Sequence, residues 1–245
     1  GDGNTAIGDL ALDANTTSSD NVAIGRCALT TNITGANNVA VGSYSLRDNT
    51  GSDNVAVGQG SALKTTGANN VAIGSNSLKC NVGGTSNVAV GYESLKANTT
   101  GDFNIAIGKD ALLANTTADS NTAIGLCAMV CNTTGGVNVA VGYEALEQNT
   151  TAAENTGVGY RALKGNTTGC QNASFGTCSV YTNSTGDANT GVGYKALFAN
   201  TTADDNTAVG VCSLQANTTG GSNTSVGAFS MKLNTTGAAN VAVGT

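Results

Sequence analysis

The chain has 245 residues, 40% of them hydrophobic but only 4% aromatic, with no Trp, His or Pro. Large core-filling side chains are too scarce for a thick globular core, and at 11% charged residues the composition is not that of charge-rich disorder. The net charge is −6, the ten basic residues are scattered singly, and no run approaches a membrane span, which excludes nucleic acid as a partner and excludes membrane insertion.

From the N-terminus, the first predicted element is a short strand opening at Asn4, in the pattern Asn, then Val/Thr/Ile/Ala, then Ala/Gly/Ser, then Val/Ile/Phe, then Gly. The pattern recurs at Asn21, Asn38, Asn54, Asn70, Asn87, Asn104, Asn121, Asn138, Asn155, Asn172, Asn189, Asn206, Asn223 and Asn240, fifteen starts in all. The spacing is 17 residues except after Asn38 and Asn54, where it is 16. A fixed period over the whole chain predicts an all-β protein, a parallel β-solenoid or β-roll of about fifteen 17-residue rungs. It is expected to form a single repeat array over residues 1–245 with no separate domains. The array starts and stops inside a repeat, as expected of a piece of a longer fibre or of a filament subunit.

Within the rung that opens at Asn87, Asn-Val-Ala-Val-Gly reads as a strand ended by Gly91. The following segment pairs a small residue with Leu or Met (Ser94–Leu95, Ala111–Leu112, Ala128–Met129) and is expected to face the core, as a second strand or a single helical turn. Asn-Thr-Thr-Gly then makes a turn, and both one-residue deletions fall beyond the strand, near or within it. The fourth residue of each repeat, such as Ile107, is expected to form the core with the following Leu, such as Leu112. The starting Asn (Asn87, Asn104, Asn121) suits an amide ladder along the stack. The Gly (Gly91, Gly108, Gly125) suits a positive-φ corner or a tight contact. One rung has about three sizeable apolar side chains, each contributing roughly 1.5–3 kcal/mol when buried. Ordering its backbone costs about 1–2 kcal/mol per residue, so a lone rung cannot stand.

The third residue is small in all fifteen repeats. With the β-branched residues inside, it lies on an uncharged outer stripe that makes Ala89, Ala106, Ala123 and Ala140 candidate interface residues between chains. With the small residues inside, Val, Ile and Thr form the outer stripe instead. Asn98, Asn115, Asn132 and Asn149 open N-x-[ST] matches and are candidate glycan acceptors in a eukaryotic secretory setting. A turn rich in Asn and Thr generates such matches by itself. The paired Thr of that turn also form a regular array, the alternative being a flat face that binds ice or glycan.

Seven Cys are present, four of them (Cys27, Cys127, Cys178, Cys212) six residues after a repeat start, where other rungs carry charge; this predicts solvent-facing thiols. Glu144 with Arg161, and Glu147 with Lys164, share a phase on adjacent rungs and are expected side by side. No catalytic residue, metal site or cofactor is expected: the acids are dispersed, no loop insertion builds a pocket, and two close Cys without His lack the remaining zinc ligands.

The Asn-Val-Ala-Val-Gly and Asn-Thr-Ala-Ile-Gly strands resemble the head repeats of trimeric autotransporter adhesins. The longer form that adds Ala-Leu and Asn-Thr-Thr-Gly is similar to repeats of phage tail fibres and related surface proteins. The resemblance covers the whole chain, although the repeat is longer than in the adhesin heads. It implies three chains side by side as a homotrimer and an extracellular place on a cell or virion surface. The implied role is adhesive, with a host surface, matrix glycan or protein as partner.

Overall fold

The computed structural model describes all 245 residues. Each repeat start is followed by a strand of three residues: β1 (Thr5–Ile7), β2 (Val22–Ile24), β3 (Val39–Val41), β4 (Val55–Val57), β5 (Val71–Ile73), β6 (Val88–Val90), β7 (Ile105–Ile107), β8 (Thr122–Ile124), β9 (Val139–Val141), β10 (Thr156–Val158), β11 (Ala173–Phe175), β12 (Thr190–Val192), β13 (Thr207–Val209), β14 (Thr224–Val226) and β15 (Val241–Val243). The chain forms two compact units, Gly1–Asn121 with β1–β7 and Thr122–Thr245 with β8–β15. In each unit every strand pairs in parallel with the next in chain order, at equal repeat positions. Thus Val88, Ala89 and Val90 face Ile105, Ala106 and Ile107 in the first unit, and Thr207 faces Thr224 in the second. Both units are parallel β-solenoids, and the chain is all-β, as the period predicts.

The two short repeats leave this register intact, with Val39 opposite Val55 and Val55 opposite Val71. The missing residue comes out of the turn, where Asn49-Thr50-Gly51 and Thr65-Thr66-Gly67 replace the four-residue form. A turn can shorten without moving any strand hydrogen bond, so the stack tolerates the deletion.

The segment after the strand is neither a second strand nor a helical turn. Positive φ recurs at the fifth, seventh and ninth residues of the rung, as in Gly91 (138°), Glu93 (54°) and Leu95 (52°). Alternating left- and right-handed residues turn two consecutive side chains to the same side, which is how Ser94 and Leu95 are both buried. A left-handed Leu costs roughly 1–2 kcal/mol. Hydrogen bonds between rungs offset it, from Glu93 N to Ser75 O (3.1 Å), Leu95 N to Ala111 O (2.9 Å) and Ala97 N to Leu113 O (3.1 Å). Each rung therefore holds its neighbour in a conformation that neither would keep alone.

The strand faces the opposite way from the expectation. Ala106 is fully buried and Leu112 is fully buried, whereas Ile105 and Ile107 are 37% and 38% exposed. The core is the third residue of each repeat with the following Leu, and the fourth residue points out. The reason is the width of the interior. A Cβ at Gly157 would sit 3.4 Å from Leu146 Cγ, and one at Gly191 would meet Val180 Cγ2 at 2.5 Å. The space opposite the long side chain takes only a small residue, Ala in most rungs and Gly157, Ser174, Gly191 and Ser225 in the others. Ala89, Ala106, Ala123 and Ala140 are thus small because they pack inside their own rung, and they are not available to another chain.

Candidate functional site

Two polar columns and one apolar face define the rung's chemistry. The first column is the predicted ladder. Asn104 N and Nδ2 both donate to Asn87 Oδ1 (2.9 and 3.2 Å), and Nδ2 also donates to Ala118 O (2.8 Å). Asn121 N donates to Asn104 Oδ1 at 3.0 Å. The same side chain therefore caps a backbone N–H of one rung and ties the turn of another. Gly91, Gly108 and Gly125 follow this column at positive φ of 138°, 134° and 139°. At Gly91 a Cβ would lie 2.5 Å from Gly108 O, so corner and tight contact coincide.

The second column was not expected, and it overturns the glycan reading. Asn98 Nδ2 donates to Asn81 Oδ1 (2.7 Å) and Gly101 O (2.9 Å). Asn115 Nδ2 repeats this with Asn98 and Ala118, and Asn149 Nδ2 with Asn132 and Ala152. Asn132 Nδ2 donates to Gly135 O at 2.9 Å. All four Asn are fully buried. A glycan would have to replace the hydrogen that each Nδ2 donates, and it would have to fit where there is no solvent. The folded rung cannot carry one. The signal was present in the sequence, because this position is Asn in every full repeat but the fourth, where Thr65 stands. The neighbouring Thr hydroxyls are also engaged, Thr99 Oγ1 with Thr116 O (2.9 Å) and Thr150 Oγ1 with Thr167 O (3.0 Å). They donate along the stack instead of outward.

The apolar face is the outer side of the strands. Its second-position residue is Val, Ile or Thr in every strand but β11, and its fourth is Val or Ile in every strand but β11, where Ala173 and Phe175 stand. No charged side chain interrupts it in either unit. β-Branched residues suit strands, yet here their side chains leave the core and line up with like residues at strand spacing.

Charge collects elsewhere on the rung. Arg161 Nε lies 2.8 Å from Glu144 Oε2, Lys164 Nζ 2.6 Å from the same oxygen and 2.9 Å from Glu147 Oε2. Tyr143 and Tyr160 stack beside them with ring centroids 5.3 Å apart, and the Arg161 guanidinium lies over both rings. Burial alone would push the Glu144 carboxyl up, but hydrogen bonds from Lys164, Tyr143 and Arg161 outweigh it and hold the pKa at about 2, against the ordinary 4.5. A depressed carboxylate stabilises the fold above its unfolded pKa, and that contribution is lost as pH falls towards the folded value. Between pH 4.5 and about 2 the thermal midpoint of the wild type is therefore expected to fall more steeply than that of Glu144→Gln. Parallel acid limbs for the two would show that this cluster does not support the second unit.

All seven Cys are thiols. Against the expectation Cys27 and Cys212 are buried, while Cys127 and Cys178 at the same repeat position are half-buried. No group of three or more His, Cys, Asp or Glu stands close enough together to hold a metal ion. No protein-family model matches the chain, and no curated protein matches it.

Proposed function

We propose that this chain is a non-catalytic, structural and adhesive segment of an extracellular fibre on a cell or virion surface. It works as a homo-oligomer in which the outer strand faces of neighbouring chains pack together. The observation that carries this reading is the face itself. In both units it is made almost wholly of β-branched residues and free of charge, while the sixth, seventh and tenth positions of the same rungs accept charge readily. A solvated face has no physical reason to avoid charge so consistently, and a long apolar stripe marks a covered surface. Like faces with no charge can meet despite a net charge of −6 per chain, because the acids lie on the other sides. The resemblance to adhesin heads and tail fibres favours three chains. The remaining sides of the rung then face a host surface, glycan or matrix protein.

Light scattering coupled to size exclusion tests this on the wild type and on Ile105→Arg with Ile107→Arg. The wild type is expected at the mass of three 24.0 kDa chains. The double variant should run as one chain with an unchanged circular dichroism spectrum, since both positions point away from the rung's own core. A monomeric wild type, or a variant that associates as before, would overturn the proposal.

A further inference from the structure

The fourth rung departs from its neighbours at one place on the surface, away from the strand face. It carries Gly60 where the rungs on either side carry Tyr44 and Asn76. The backbone does not require glycine there. Gly60 has φ 61°, and Tyr44 and Asn76 adopt 62° and 57° at the same repeat position. What the glycine provides is room: a Cβ added to it would approach one atom only, Asn76 Oδ1 at 3.1 Å. The result is a cleft of about 270 Å³ lined by Tyr44, Arg47, Gln59, Leu63, Asn76 and Lys79.

Tyr44 is covered on one side only. Arg26, from the preceding rung, places its guanidinium carbon 5.2 Å from the ring centroid and hydrogen-bonds the Tyr44 hydroxyl. The other ring face looks along the stack to the fourth rung, where the same repeat position is Gly60 and carries no side chain. At about 4.8 Å per rung, Tyr44 and Asn76 bracket a slot one ring deep. Its rim is polar and cationic. Gln59 and Asn76 carry amides, Arg47 is held by Asp48 at 2.8 and 2.6 Å, and the Lys79 ammonium has no ion-pair partner.

We propose that this notch binds a carboxylated sugar, a uronic acid unit. The sugar's apolar C–H face packs on the open face of Tyr44, as amphipathic rings favour aromatic platforms. Its hydroxyls pair with the Gln59 and Asn76 amides, and its carboxylate meets Lys79 in a charge-assisted hydrogen bond. A simple anion would leave the Tyr44 face unused, and a neutral ring would leave Lys79 unused. The inference takes its setting from the attachment reading. Its assay reads ligand binding and not assembly, so either can fail without the other.

The test is saturation-transfer NMR and titration of the full chain with D-glucuronate, D-glucose and acetate. D-Glucuronate is expected to bind saturably, ahead of both others. Gly60→Tyr fills the slot with a residue this backbone position already accepts next door, and it should abolish binding with an unchanged circular dichroism spectrum. Tyr44→Ser, an outward side chain, should abolish it independently. Lys79→Gln should weaken D-glucuronate about fivefold and remove its preference over D-glucose, the scale of one screened charge contact. Acetate binding as well as D-glucuronate would reduce the notch to a simple anion site and overturn the proposal. So would undiminished binding to the folded Gly60→Tyr and Tyr44→Ser variants, or no saturable binding at all.

Discussion

Leu112→Asp is expected to remove cooperative unfolding of the first unit, or to lower its stability by about 4–5 kcal/mol or more. Leu112 is fully buried, facing the small strand residues. Removing a buried Leu side chain costs about 2–5 kcal/mol through lost transfer energy and the cavity left behind. A carboxylate in its place adds a desolvated charge, which must protonate or drag in water. The same substitution at Ile107 is the control, because that side chain already points out. Within a single chain Ile107→Asp should leave the thermal midpoint nearly unchanged, and its effect should appear in association. Chemical denaturation of both variants, followed by circular dichroism, reads the difference. Equal destabilisation of the two would show that the strand faces the other way.

Gly91→Val should be comparably severe, for a different reason. Gly91 sits at φ 138°, where a β-branched residue is strained, at a cost on the order of 1–3 kcal/mol. Its Cβ would also lie 2.5 Å from Gly108 O and 2.6 Å from Gly108 C. That carbonyl is backbone and cannot swing aside. Moving it would break the bond from Gly108 N to Val90 O, now 2.8 Å. Strain and clash add in one place, so the rung is expected to separate from the next. Gly91→Ala should show the same sign with a smaller size. Gly83→Ala is the matched control, because a Cβ there would meet only Thr100 Cγ2 at 3.8 Å. A Gly91→Ala protein that melts with the Gly83→Ala protein would reduce Gly91 to a residue without structural purpose.

The repeat made the solenoid legible because period, strand signature and register are all properties of spacing. The starting Asn ladder was legible for the same reason, and so were the Glu144–Arg161 and Glu147–Lys164 pairs. What spacing did not decide was direction. A three-residue strand has only two possible facings, and Val-Ala-Val fits either by pattern. The ordinary preference for burying β-branched residues pointed the wrong way. The deciding fact, that Leu112 reaches across an interior with room for only a small residue opposite, belongs to the third dimension. Fifteen small residues at one position did signal a close approach, but the approaching surface is the rung's own Leu and not another chain. The second Asn column was obscured by its resemblance to a glycan sequon and a turn. The left-handed Glu93 and Leu95 could not be read locally, since neither residue type favours that conformation and only the carbonyls of the rungs on either side, Ser75 O and Ala111 O, hold them there.

Hydroxyl-radical footprinting read by mass spectrometry tests the covered strand face most directly. Val57 and Ile73 lie on that face and are 37% and 40% exposed in the single chain, while Ile33 and Val82, at 50% and 51%, lie in the turn on another side. In the wild type Val57 and Ile73 are expected to be protected well beyond this difference in exposure. In Ile105→Arg with Ile107→Arg their oxidation should rise several-fold, with Ile33 and Val82 unchanged. Oxidation of Val57 and Ile73 at the same rate in both proteins, in proportion to their exposure in the single chain, would contradict the account.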